Sequence, residues 1–208
     1  MSSRTEILAK IKNNQPEFRP LPSEDLIFSG SGGDYTDRDN IQENTETFRT
    51  VLTNIGGAVI ELHNLAEVGA YISAHYGEGQ RIISTLAGLS SLCSPGWEND
   101  DPHDLENVAL AVIGAHFGVA ENAALWITEE LMQQRVVPFI CQQLAVVLHK
   151  NKILATMHHA YDQIGDAPYG FGAFIAGPSK TADIEQSLVL GAHGPKGMTV
   201  FLLTEEER

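Results

Sequence analysis

Cysteine, basic residues, long apolar runs and nucleotide-binding glycine motifs are all scarce or missing in this chain of 208 residues. Its two cysteines, Cys93 and Cys141, are far apart and in no metal-ligand spacing. An iron–sulfur cluster takes a full set of thiolate ligands, so none is expected here, and both cysteines read as reduced thiols. Acidic residues outnumber Lys and Arg 27 to 13, for a net charge of −14. Nucleic-acid binders gain affinity by neutralising phosphates, so that class of partner is disfavoured. No apolar run approaches the roughly 18 residues of a membrane span. The start, MSSRTEILAKIKNN, lacks the apolar centre of a signal peptide, and a cytoplasmic protein is expected. The glycine-rich stretch SGSGG at 29–33 does not follow a strand, so it is no GxGxxG cradle for a dinucleotide.

What is present reads as α/β. Thr5 to Lys12 carries Ile7, Leu8 and Ile11 at helical spacing, and residues 15–40, rich in Pro and Gly, read as a linker. Residues 1–40 are therefore expected to be an N-terminal helix and linker, and 41–208 one α/β domain. Within it, Ile41 to Ile55 and Leu65 to Tyr76 have helical period, and 58–62, 81–86 and 108–113 read as buried strands. GAHFGVAENAALWITEE suggests a hairpin turning at Glu121-Asn122-Ala123, with Asn tolerating positive φ. A strand pair at 136–140 and 144–148 is expected next, then a helix over 152–164. A last strand pair is expected at 171–175 and 198–203.

Three places offer chemistry. In AGPSKTADIEQS (176–187), Gly177 and Pro178 break a strand, and Ser179 and Thr181 can cap a helical turn through Ala182 to Gln186. Such a loop, with Lys180, suits an anion; equally, Asp183 and Glu185 suit a helix N-terminus on their own account. Glu121, between apolar runs, is either a desolvated acid fit for proton transfer or a hairpin-turn acid in water. Of the histidines, His158 and His159 are adjacent and diverge on a helix, and His193 lies in the turn GAHGPKG. Neither pattern is a metal motif, and no metal is expected.

The ending FIAGPSKTADIEQSLVLGAHGPKGMTVFLL resembles the C-terminal signature of the lactate utilisation protein C family, the LUD-domain proteins. The matching positions are Gly177 to Glu185, Gly191, His193, Gly194 and Pro195. A second family signature, approximately GITGADFAIAETGTLVL, is met by AVIGAHFGVAENAALWI, in which Gly114, Ala115, Phe117, Ala120, Glu121 and Leu125 agree. Positions 113, 116, 122, 123 and 124 depart from it, His116 standing where the family usually has Asp and Ala123 where it has Gly.

The resemblance implies a three-layer α/β sandwich with a mostly parallel sheet plus a β-hairpin. That fold is similar to the superfamily of glucosamine-6-phosphate deaminase, ribose-5-phosphate isomerase and CoA-transferase, with sites at strand carboxyl ends. It also implies a subunit of a system oxidising L-lactate to pyruvate, with no redox cofactor of its own and with iron–sulfur partner proteins. A site follows in which Gly177, Ser179, Lys180, Thr181 and Glu185 bind a small carboxylate or phosphate, while Glu121, His193 and Asp183 handle protons. Two other readings remain: a stand-alone enzyme with acyl or sugar-phosphate chemistry, and a non-enzymatic binding or assembly module.

Overall fold

Apolar residues alternate along the strands so as to build two cores, one on each side of a sheet, in the computed structural model, which describes residues 3–14, 40–77, 79–182 and 188–204. Five strands, β1 (Ala58–Leu62), β2 (Arg81–Ser84), β3 (Val108–Gly114), β6 (Gln143–His149) and β11 (Gly197–Leu203), pair in the order β1-β11-β6-β3-β2. Every pairing is parallel. In β6, Leu144, Val146 and Leu148 face one core, and Ala145 and Val147 the other. In β3 the register slips by one residue opposite Arg81 and Ile82, so Val108 and Ala111 share a face although they are three apart.

One face of this sheet is covered by α3 (Leu65–His75) and a 3-10 turn at Ala87–Leu92, through Val68, Ile72 and Leu89. The other face is covered by α2 (Ile41–Asn54) and by a second sheet. That sheet contains β4 (Phe117–Val119), β5 (Leu125–Thr128), β7 (Ile153–Leu154) and β8 (Gly172–Ile175), in the order β7-β4-β5-β8. Its outer face packs on α6 (Met157–Ile164) through Phe117, Val119, Trp126 and Ala160. The expected mostly parallel, layered α/β fold with a β4–β5 hairpin is present.

Local chemistry explains the helix ends. Asn40 accepts from the Glu43 N–H and donates back to the Glu43 carboxylate at 2.9 Å, closing the first turn of α2. Gly56, at φ +94°, ends that helix and turns the chain into β1. At α3 the Asn64 side chain likewise accepts from the Glu67 N–H, while the Glu67 carboxylate accepts from the His63 N–H at 2.9 Å. Both cysteines are free, and burial pushes the Cys141 thiol up to about 12. The chain divides into two units, residues 1–37 and 38–208. In the first, the described element is α1 (Ser3–Asn13), whose Ile7, Leu8 and Ile11 are all more than half exposed. Of the expected linker at 15–40, only Asn40 lies within the described residues, as the cap of α2. Among the described residues no helix is long and apolar enough to cross a membrane.

Several expectations are corrected. Residues 136–140 do not form a strand: Val137–Ile140 is a short helix, α5, following α4 (Glu129–Met132). Pro138 cannot donate to a ladder and sits well in a first helical turn. The helix expected from 152 starts only at Met157, because Ile153 and Leu154 pair with β4 and Thr156 acts as the cap. Residues 171–175 and 198–203 are not partners. β8 borders β5 in the second sheet, while β11 lies between β1 and β6 in the first. Finally, Ala182 belongs not to a helical turn but to β9 (Lys180–Ala182), antiparallel to β10 (Leu188–Leu190).

Candidate functional site

The terminal loop is built by glycines that let backbone approach backbone. Gly177 turns at φ +71°, and a Cβ there would stand 3.0 Å from the Ile55 side chain. Pro178 is buried beside it. The Ser179 N–H then donates to the Pro195 carbonyl at 2.9 Å, and the Gly191 N–H donates to the Ser179 carbonyl at 3.1 Å. Gly194 completes the fit, since a Cβ on it would lie 3.1 Å from that of Ser179. The Lys196 N–H donates to Gln142 at 2.8 Å. Thus the GPSK and GAHGP segments, separated in sequence, are clipped together by main-chain hydrogen bonds.

Lys180 reaches across this clip to the turn after α2, its Nζ 3.3 Å from where a Gly56 Cβ would be. Lys180, His193 and Lys196 are exposed around it. The clipped segments and the residue after them thus carry three exposed cationic or protonatable side chains on a chain of net charge −14. Two expectations change here. The loop leads straight into β9, so among the described residues no helix starts at it, and the Ser179 N–H is already committed to Pro195. The cluster also adjoins the first residues of β1, β6 and β11, which is the amino end of the parallel sheet rather than the carboxyl end. An anion there would meet side chains, chiefly the Lys180 ammonium, rather than a cradle of free N–H groups. Asp183 and Glu185 lie outside the described residues, and of Thr181 only the strand backbone is described.

Glu121 is placed elsewhere. It is exposed, at the top of the β4–β5 hairpin, and its carboxylate accepts from the Met157 N–H at 2.9 Å. Its own N–H donates to Ala155 at 3.2 Å, beyond β7. The acid is therefore a solvated cap on α6, not a desolvated acid between strands. The GPSK loop leaves β8, two strand spacings or roughly 10 Å from β4 and at the same end of the second sheet as the hairpin turn. The positive φ of the hairpin turn falls on Ala123, at +55°, and not on Asn122, whose side chain instead accepts from the Ala124 N–H. Ala123 is fully buried, so its methyl offsets in packing part of what its backbone strain costs. Glu121→Ala is expected to destabilise by about 0.5–1 kcal/mol, with α6 fraying first by hydrogen exchange, and Glu121→Gln by less.

The residues left out of the sequence-based site are those of the opposite end of the hairpin. His116, past the end of β3, shares a 2.7 Å hydrogen bond with Thr128 through Nε2. Both face an open cavity of about 290 Å³ between the second sheet and α6. The departure from the family pattern at position 116 was the available signal, and pairing with Thr128 could not be read from spacing alone. Among the described residues no group of three or more His, Cys, Asp or Glu is placed to hold a metal ion.

Beyond its geometry, the sequence matches the LUD domain over residues 94–203, more than half of the chain and inclusive of both clipped segments. The chain belongs to the LUD-domain family. Lactate utilization protein C of Bacillus pumilus is 31% identical to this LUD-domain protein over 108 residues, 49% of this chain and 45% of that protein. The protein of the same name from Exiguobacterium is 26% identical over 181 residues, 78% of each. An uncharacterized protein, YkgG, of Escherichia coli is 29% identical over 107 residues, 46% of its length. The matched region thus spans less than half of the Bacillus and Escherichia relatives. A crystal structure of a DUF162 family protein from Deinococcus radiodurans superposes with a TM-score of 0.60 at 15% identity, covering 79% of this chain and 99% of that one. It shares the fold of this LUD-domain protein.

Proposed function

We propose that this LUD-domain protein serves lactate utilisation as a subunit in the oxidation of L-lactate to pyruvate. Its domain runs from 41 to 208, with 1–40 as a helix and linker, and it works in the cytoplasm. The oxidation removes two electrons and two protons from the substrate. With two distant cysteines and no dinucleotide motif, the chain is assigned no redox cofactor, and the electrons pass to iron–sulfur partner proteins. The names of the relatives support the lactate assignment.

One observation carries the site: two main-chain hydrogen bonds clip GPSK to GAHGP and leave Lys180, His193 and Lys196 exposed on a strongly acidic chain. In this reading Lys180, with the hydroxyls of Ser179 and Thr181, holds the lactate carboxylate, and Gly177 gives the loop its turn. His193 and Asp183 move protons, and Glu185 adds to the contacts with the substrate. Glu121 positions α6 rather than reacting. The test is genetic. Cells deleted for this chain are expected to lose growth on L-lactate and to regain it with the wild-type copy, whereas unimpaired growth of the deletion strain overturns the reading.

The same hydrogen bonds also favour a second reading, a non-enzymatic assembly module, because Ser179 and Glu121 both spend polar groups on holding structure. Under it, a Lys180→Ala copy restores growth on L-lactate as fully as wild type. Under the first reading it does not.

A further inference from the structure

We infer that the cavity beneath the β4–β5 hairpin binds a small aromatic molecule whose polar head is neutral or cationic, at a site separate from the Lys180 cluster. Its apolar wall is Trp126, nearly buried, with the Tyr169 ring edge-on at 5.2 Å and Phe174 behind it at 4.7 Å. The indole lies across Gly172, where any Cβ would come within 2.5 Å of the ring, so the glycine holds open the space that the wall occupies. Tyr169 is half exposed at the mouth. Aromatic walls of this kind select a flat apolar body and, with their negative ring faces, tolerate a cation.

Polar groups sit at one end. The Thr128 hydroxyl belongs to a residue more than nine-tenths buried, and it meets His116 at the cavity wall. Together the pair can both donate and accept. Glu130 and Gln163 form the exposed rim. Among the described residues no Lys or Arg lines the cavity. The nearby Arg135 guanidinium is held by the Glu129 carboxylate, which also accepts from the Gly170 N–H. A carboxylate or phosphate would therefore enter beside Glu130 with nothing to neutralise it, whereas an amide or amidinium head would find an acceptor. At about 290 Å³, near the lower end of ordinary ligand pockets, the cavity suits a single substituted ring.

Three probes of one shape separate ring from charge: benzamidine, benzamide and benzoate. Each is titrated into the full chain and followed at the Trp126 indole N–H resonance, assigned by its loss in Trp126→Phe. Saturable shifts are expected with benzamidine and benzamide, with benzoate at least about tenfold weaker than benzamidine. Glu130→Gln should erase most of that preference. Ala167→Trp, which fills the cavity from an exposed position, should abolish binding of all three while leaving the circular dichroism unchanged. The inference is overturned by the absence of saturable binding, by benzoate binding as tightly as benzamidine, or by either variant leaving binding as it was.

Discussion

Phe48→Ala lowers the free energy of unfolding by about 3–5 kcal/mol, measured by chemical denaturation at constant pH. The ring is fully buried on α2 and belongs to the core that joins the parallel sheet to the second sheet. It rests against Gly118, where a Cβ would lie 3.0 Å from both Phe48 and Leu148. Its removal opens a void on a surface made by two sheets and a helix, whose backbones are each held by their own hydrogen bonds, so little collapse can fill it. A loss below about 1 kcal/mol would mean that α2 does not bridge the two sheets as described.

Gly177→Val has the next largest effect, and it acts on the candidate site. The residue turns at φ +71°, a region that β-branched side chains avoid, and its Cβ would meet Ile55 at 3.0 Å. Backbone strain of about 1–2 kcal/mol and crowding of similar size together cost about 2–4 kcal/mol. The clip bears the change, so amide exchange at Ser179 and Gly191 should accelerate by at least about tenfold, while exchange in β6 is altered less. Gly177→Ala, which has the same backbone strain but less bulk beside Ile55, should fall between wild type and Val. Equal protection at Ser179 in all three proteins would show that the loop does not depend on this turn.

Strands and helices with a strong period were legible from the sequence. Phe48 and Leu52 on α2, and the alternation in β3 and β6, announced both element type and buried face. The misread segments are those in which a short apolar run serves two structures equally well. Val136 to Ile140 has strand-like composition, yet Pro138 favours a helical turn, and Ile153 and Leu154 were absorbed into a helix although Asn44 and β4 hold them extended. At the site, the motif could be recognised but not its surroundings. Ser and Thr after Gly-Pro suit a helix cap and a hairpin alike, and the choice was made by pairing between Lys180–Ala182 and Leu188–Leu190. Likewise, apolar neighbours leave Glu121 open between a desolvated acid and a hairpin-turn acid in water, and the hairpin decides for the second by lifting it to the surface and giving it the Met157 N–H.

With the Glu121 carboxylate spent on the Met157 N–H, the weight of the functional account falls on Lys180. The decisive measurement is a titration of L-lactate into the wild-type protein and into Lys180→Ala, followed at the backbone amides of Ser179, Gly191 and Gly194. A charge-assisted contact to the carboxylate predicts saturable shifts at these amides and at least about tenfold weaker binding in the variant. Equal affinity in the two proteins, with the fold of the variant intact, would contradict the account.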